Sequence, residues 1–125
     1  FNAEELTVVW QAVNVEHACH YCVPAHTGIA KSMKVRDDLI EELRNDETLS
    51  DSKLNTLKET VLAVTRGRGN VDNAQLDAFY SAGYKHQQLL EIILILAQKV
   101  MSNYTNHLAD TPVDEPFKKF DWSPK

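Results

Sequence analysis

Two cysteines, three histidines and a carboxylate crowd into Glu16-His17-Ala18-Cys19-His20-Tyr21-Cys22-Val23-Pro24-Ala25-His26. The cysteines are the only two in the chain, and the histidines are three of its five. Cys22 follows Cys19 by three residues, and His26 follows Cys22 by four. On a helix such residues share one face, here within roughly a 60° arc. Two thiols and an imidazole on one stripe make either a redox couple with its own base or most of a zinc site.

As a redox couple, the segment divides its roles by position. Pro24 is tolerated only in the first turn of a helix, so a helix is expected to begin near Tyr21 or Cys22. Cys22 then sits at a helix N-terminus, where free N–H groups and the dipole favour a thiolate. His26, one turn on, is the candidate base. Attack by Cys22 on a peroxide O–O bond leaves a sulfenic acid, which Cys19 can condense with to form a disulfide. Regular helix spacing separates the two Cβ atoms by about 5–6 Å, whereas a relaxed bridge wants roughly 3.8 Å. A bridge therefore needs a loosened turn between the thiols. A working couple must also be reachable from solvent. Glu16, three residues before Cys19, is a candidate to orient His26 and keep it basic, as the third group does in nucleophile–base systems.

The zinc reading takes Cys19, Cys22 and His26 with His17 or His20 as fourth ligand, or with His86 or His107 from elsewhere. It has all its nearby ligands in one segment, where structural zinc sites usually draw pairs from two elements. A third reading is two inert buried thiols with incidental histidines.

The elements that position this segment read as helix after helix. Leu6, Val9, Trp10 and Val13 recur at helical spacing over about residues 3–16. A second helix runs to about Met33, and Val35, Leu39, Ile40 and Leu43 mark a short third ending at Asn45-Asp46. Ser50 or Asp51 caps a fourth that Gly67 and Gly69 end. Asp72 with Gln75 suggests a capping box for a fifth, terminated by Gly83. The sixth runs from about His86 to Leu108, and its stretch Leu89–Ala97 is apolar nearly all round. Such a helix needs cover on every side, from other subunits or from a central place in the core. The tail carries Pro112, Pro116 and Pro124 among Phe117, Phe120 and Trp122. It is too proline-rich for a helix and is expected to pack on the body or on a neighbouring subunit.

The 125 residues suit one domain, 1–125, with an apolar core. The start at Phe1 makes us expect an incomplete N-terminus. A net charge of -5 argues against a nucleic-acid partner. No run approaches the about 18 apolar residues of a membrane span. A lone C-x-x-C in such a chain favours a reducing compartment, read here as the cytoplasm.

The residues Cys19–His26, Ala82-Gly83-Tyr84, and Ser102–Ala109 followed by Thr111-Pro112 resemble the alkylhydroperoxidase D-like family of the carboxymuconolactone decarboxylase superfamily. The resemblance covers nearly the whole chain, and C-x-x-C-x-x-x-H is its specific part. It implies an all-α helical bundle that assembles into trimers or hexamers. It implies an antioxidant peroxidase in which Cys22 attacks a hydroperoxide, Cys19 resolves and His26 relays the proton. No cofactor or metal is implied, and electrons come from a dithiol partner such as a lipoyl group or a thioredoxin-like protein. The chain departs from the family's characterised type twice. Thr7 stands where a relay glutamate precedes the first cysteine, and Tyr21 stands where a histidine precedes the second. Glu16 is the candidate for the missing carboxylate. The decarboxylase branch has no evident use for a thiol pair.

Overall fold

The computed structural model describes residues 1–125. It is all-α: α1 (Ala3–Glu16), α2 (Cys22–Ser32), α3 (Asp37–Arg44), α4 (Ser52–Arg66), α5 (Asn73–Ser81) and α6 (His86–Ala109), then a 3-10 helix over Glu115–Phe120. The caps follow from local chemistry. Asn2 and Glu5 form a reciprocal capping box on α1, and Asp51 accepts from the Leu54 N–H at the start of α4. Asp72 accepts from Gln75 N–H, but the Gln75 side chain turns away to Thr60, so only half of the expected box forms.

The centre of the bundle is α1, not the long apolar α6. It packs against α2, α3, α4 and α6. Its Val8, Val9, Ala12 and Val13 meet Leu39, Ile40 and Leu43 of α3, Leu57 and Val61 of α4, Phe79 of α5 and Ile92 of α6 in one core. The polar residues between them, Thr7, Gln11 and Asn14, are buried as well. The helix is therefore covered all round, and its polar stripe is internal rather than solvated. By contrast α6 buries one stripe, Ile92, Ile95, Lys99 and Asn103. Leu90, Ile93, Leu94, Met101, Tyr104 and Leu108 lie exposed.

The tail packs on this chain's own body. It does hold a helical turn, because Pro116 occupies a first-turn position where no N–H is needed. Phe117 lies so close to α2 that a Cβ at Gly28 would meet its ring at 2.7 Å. Arg44 donates to the carbonyls of Phe120 and Asp121, and Trp122 Nε1 donates back to the Arg44 carbonyl at 2.8 Å.

One turn launches the cysteine segment. After α1, Ala18 takes a left-handed conformation at φ 52. Ala18 N–H donates to the Val15 carbonyl and Cys19 N–H to that of Asn14, both at 3.0 Å. This is the pair of bonds by which helices commonly end on glycine. A left-handed alanine costs about 1–2 kcal/mol, against about 0.5–1 kcal/mol of extra chain entropy lost by a glycine. Ala18→Gly is therefore expected to raise unfolding free energy by about 0.5–1 kcal/mol, seen as a higher urea midpoint. A lower midpoint would show that the methyl group itself is needed.

Candidate active site

The two sulfurs are joined: Cys19 and Cys22 form a disulfide, with Cα atoms 5.2 Å apart. Cys19 lies in the turn before α2, and Cys22 is the first residue of that helix. No side chain caps α2 at Tyr21. The Cys19 sulfur takes that place, accepting from Cys22 N–H at 3.1 Å. Pro24 stands third in the helix, where its missing N–H leaves no bond unmade.

Two polar groups of α6 reach the Cys22 sulfur. Ser102 Oγ and Asn106 Nδ2 each lie 3.5 Å from Sγ. Asn106 is steadied by donating to the Ser102 carbonyl at 2.8 Å. One turn earlier on the same helix, Lys99 Nζ stands 2.5 Å from His26 Nε2. Lysine has only protons to give, so Nε2 accepts and the ring carries its own proton on Nδ1. That Nδ1 is buried and has no partner. Trp10 of α1 packs against the imidazole, with ring centroids 5.0 Å apart.

Burial, and then the Lys99 charge, push the His26 pKa down to about 3. Burial lowers that of Lys99 to about 8. At neutral pH the pair is a neutral imidazole beside an ammonium. The positive charge of the pair is on the lysine, not on the histidine.

Glu16 does not reach His26. Its carboxylate receives Nε and Nη2 of Arg66, at 2.9 and 2.8 Å, across the packed α1–α4 pair. The guanidinium holds the Glu16 carboxyl below its usual range. The other histidines also have separate partners. His17 Nδ1 lies 3.1 Å from Asn103 Oδ1, His20 Nε2 lies 2.9 Å from the Thr111 carbonyl, and His107 Nε2 lies 3.2 Å from that of Ala18. Tyr21 donates to Asp114 at 2.6 Å. His20 and Tyr21, which separate the two cysteines, are thus tied to the segment that follows α6. No group of three or more His, Cys, Asp or Glu side chains gathers as metal ligands would, and the zinc arrangement of Cys19, Cys22 and His26 with a further histidine is not formed.

The expectation of an open couple fails. Cys19 is 0% exposed and Cys22 is 2% exposed. The sulfurs lie under the last turns of α6.

Sequence reasoning did not single out Lys99, Ser102, Asn103 or Asn106 individually. The available signal was spacing: 99, 102, 103 and 106 form one polar face at helical intervals on an otherwise apolar helix.

No family model matches the chain, and no curated protein matches it in sequence. Among solved structures, the chain is similar to one described as an uncharacterized peroxidase-related protein from Silicibacter sp. TM1040. The TM-score is 0.78 at 17% identity, over 91% of this chain and 61% of that one. The likeness establishes a shared helical fold, and this chain spans about three fifths of that protein's length.

Two measurements check the site's electrostatics. Between pH 6.5 and 3 the unfolded chain takes up a proton on His26 that the folded chain refuses. Stability should therefore fall with pH in this window, by up to about 1.4 kcal/mol per pH unit for this one group. His26→Gln should flatten the fall of the urea midpoint between pH 6.5 and 4.5; an unchanged slope would place the acid sensitivity elsewhere. Glu16→Gln removes a surface ion pair of about 0.2–1 kcal/mol and should leave the pH dependence of cysteine alkylation as it was. A shift in that profile would restore Glu16 to the site.

Proposed function

We propose that this protein is a thiol-dependent hydroperoxidase, or a disulfide oxidoreductase of the same chemistry, of the alkylhydroperoxidase D-like type. Cys22 attacks the peroxide, Cys19 resolves the sulfenic acid, and His26 relays the proton. The observation that carries the reading is the Cys19–Cys22 bridge at the start of α2, beside a histidine–lysine pair and two hydrogen-bond donors to sulfur. A bridge between residues three apart is what a catalytic couple forms and re-opens in each turnover. The peroxidase-related fold neighbour is in keeping with it.

Cys22 suits the nucleophile's role better than Cys19. Its thiolate would gain the N-terminal end of α2 together with Ser102 and Asn106 as donors. Cys19, fully buried in the turn, is the partner within bonding reach. A hydroperoxide then reaches the couple only when its cover moves.

The reductant in this reading is a dithiol, a lipoyl group or a thioredoxin-like protein, and the compartment is the cytoplasm. No helix is long and apolar enough to cross a membrane. Self-association into a trimer or hexamer would cover the exposed stripe of α6, where Leu90, Leu94, Met101 and Leu108 follow one another along one side.

Consumption of tert-butyl hydroperoxide with dithiothreitol as donor tests the assignment. Wild type should turn over. Cys22→Ser should lose activity by on the order of a hundredfold or more, and Cys19→Ser, given one equivalent of peroxide without dithiothreitol, should stop at the sulfenic acid. Turnover that survives in Cys22→Ser would overturn the reading.

A further inference from the structure

We propose that Lys99 is the proton source of this site: its ammonium acts through His26 to hold Cys22 as a thiolate and then to protonate the alkoxide released from a cleaved hydroperoxide. This rests on the hydroperoxidase reading above and assigns the cation and the acid which that reading lacks.

His26 alone is unable to supply the charge. A base that forms an ion pair with a thiolate must hold a second proton, and this ring sits in a buried place beside a positive charge. Its Nε2 is already occupied by Lys99 Nζ. The proton it carries is on Nδ1, buried and without an acceptor in the oxidised protein. An N–H donor aimed at nothing is costly in a folded interior. A Cys22 thiolate or a peroxide oxygen that reaches Nδ1 would supply the missing acceptor.

Lys99 itself has no anion. Burial is the only influence on its titration, and Lys99 is the only charge acting on His26. The groups packed around the pair agree. From α1, Trp10 presents only a ring, Glu16 is engaged by Arg66, and His17 is bonded to Asn103. From α2 come the sulfurs and His26. From α6 come Lys99, Ser102 and Asn106, of which only Lys99 titrates. From the tail, Asp114 is held by Tyr21. A Cys22 thiolate would be the missing counter-charge.

The cycle balances. A dithiol R(SH)2 reduces the bridge to Cys19–SH and Cys22–S−, its two sulfurs joining, and the second thiol proton leaves to solvent, Lys99 being an ammonium already. Cys22–S− then attacks ROOH: the S–O bond forms, the O–O bond breaks, and RO− takes the proton of His26 Nδ1 while Lys99 returns one to Nε2. Cys19–SH condenses with Cys22–SOH, forming the S–S bond and releasing water. Lys99 then regains from solvent the proton it gave up, matching the one released on reduction, and the sum is R(SH)2 + ROOH giving RS2 + ROH + H2O.

Two readouts test this. The first needs no peroxide: iodoacetamide alkylation of Cys22 against pH, in a Cys19→Ser background. Adding Lys99→Met should raise the alkylation midpoint by about 1 pH unit or more, since a nearby cation lowers a thiol's pKa by that order. Lys99→Arg should keep it low. The second is kcat/KM for tert-butyl hydroperoxide with dithiothreitol. Wild type should lose rate at high pH, where Lys99 gives up its proton, and this limb should lie above the value of about 8 that burial alone sets, because a Cys22 thiolate favours the ammonium. Lys99→Arg, which does not titrate there, should carry the plateau to higher pH. An alkylation midpoint unmoved in a natively helical Lys99→Met protein overturns the proposal. Should that variant not fold, a wild-type peroxidase profile without the descending limb overturns it instead. A midpoint that moves in a protein consuming no peroxide upholds Lys99 as the cation of the thiolate and overturns the hydroperoxidase reading and the alkoxide step with it.

Discussion

Asn14 holds the site-bearing helices to one another. It is fully buried in α1 and spends both ends of its amide on other residues. Its Oδ1 accepts from Asn103 of α6 at 2.9 Å, and its Nδ2 donates to Gln11 at 3.0 Å and lies 3.5 Å from the Cys22 carbonyl at the head of α2. Gln11 continues the chain to the Val23 carbonyl and to Thr27, and Thr27 accepts from Arg44, which holds the tail. Each such bond contributes only about 1 kcal/mol net, whereas a buried amide left unpaired costs about 1–3 kcal/mol. The network therefore acts mainly as a specification. Sliding α2 or α6 by one residue along α1 would orphan several amides at once, so the arrangement that brings Ser102 and Asn106 to Cys22 is fixed by polar groups rather than by apolar packing alone.

The same economy explains the turn before the cysteines. α1 must stop abruptly for Cys19 to meet Cys22, and Ala18 takes the left-handed position without glycine's freedom. Its carbonyl is met by His107 from the end of α6. The turn is thus closed from two sides, by the backbone of α1 and by a side chain 89 residues away in sequence order.

Much of the fold was legible because helices write their periods and caps locally. Asp51 and Asp72 mark starts, Gly69 and Gly83 mark ends, and the C-x-x-C-x-x-x-H spacing marks the site. What was not legible is long-range. Thr7, Gln11 and Asn14 look like the wet side of an amphipathic helix, and only the presence of four packed neighbours makes them internal. Lys99 looks like one solvated charge on an apolar helix, and nothing local says that it meets an imidazole 73 residues earlier. Glu16 looked like a partner for His26 because it is near in sequence, yet α1 and α4 lie side by side and Arg66 offers a bidentate match. Proximity along the chain was the wrong guide for Glu16.

Which charge meets the histidine decides how the ring is protonated. A carboxylate beside the histidine would stabilise an imidazolium and raise its pKa. An ammonium does the reverse, and burial adds to it. Here the second case holds: the imidazole is kept neutral, and the positive charge stands on Lys99. A neutral ring with one nitrogen committed to an ammonium is a directed donor. The oxidised couple is uncharged and gives this donor nothing to face, so the electrostatic balance of the site changes with the state of two sulfur atoms. The disulfide leaves the buried cation unmatched, and a thiolate at Cys22 would match it.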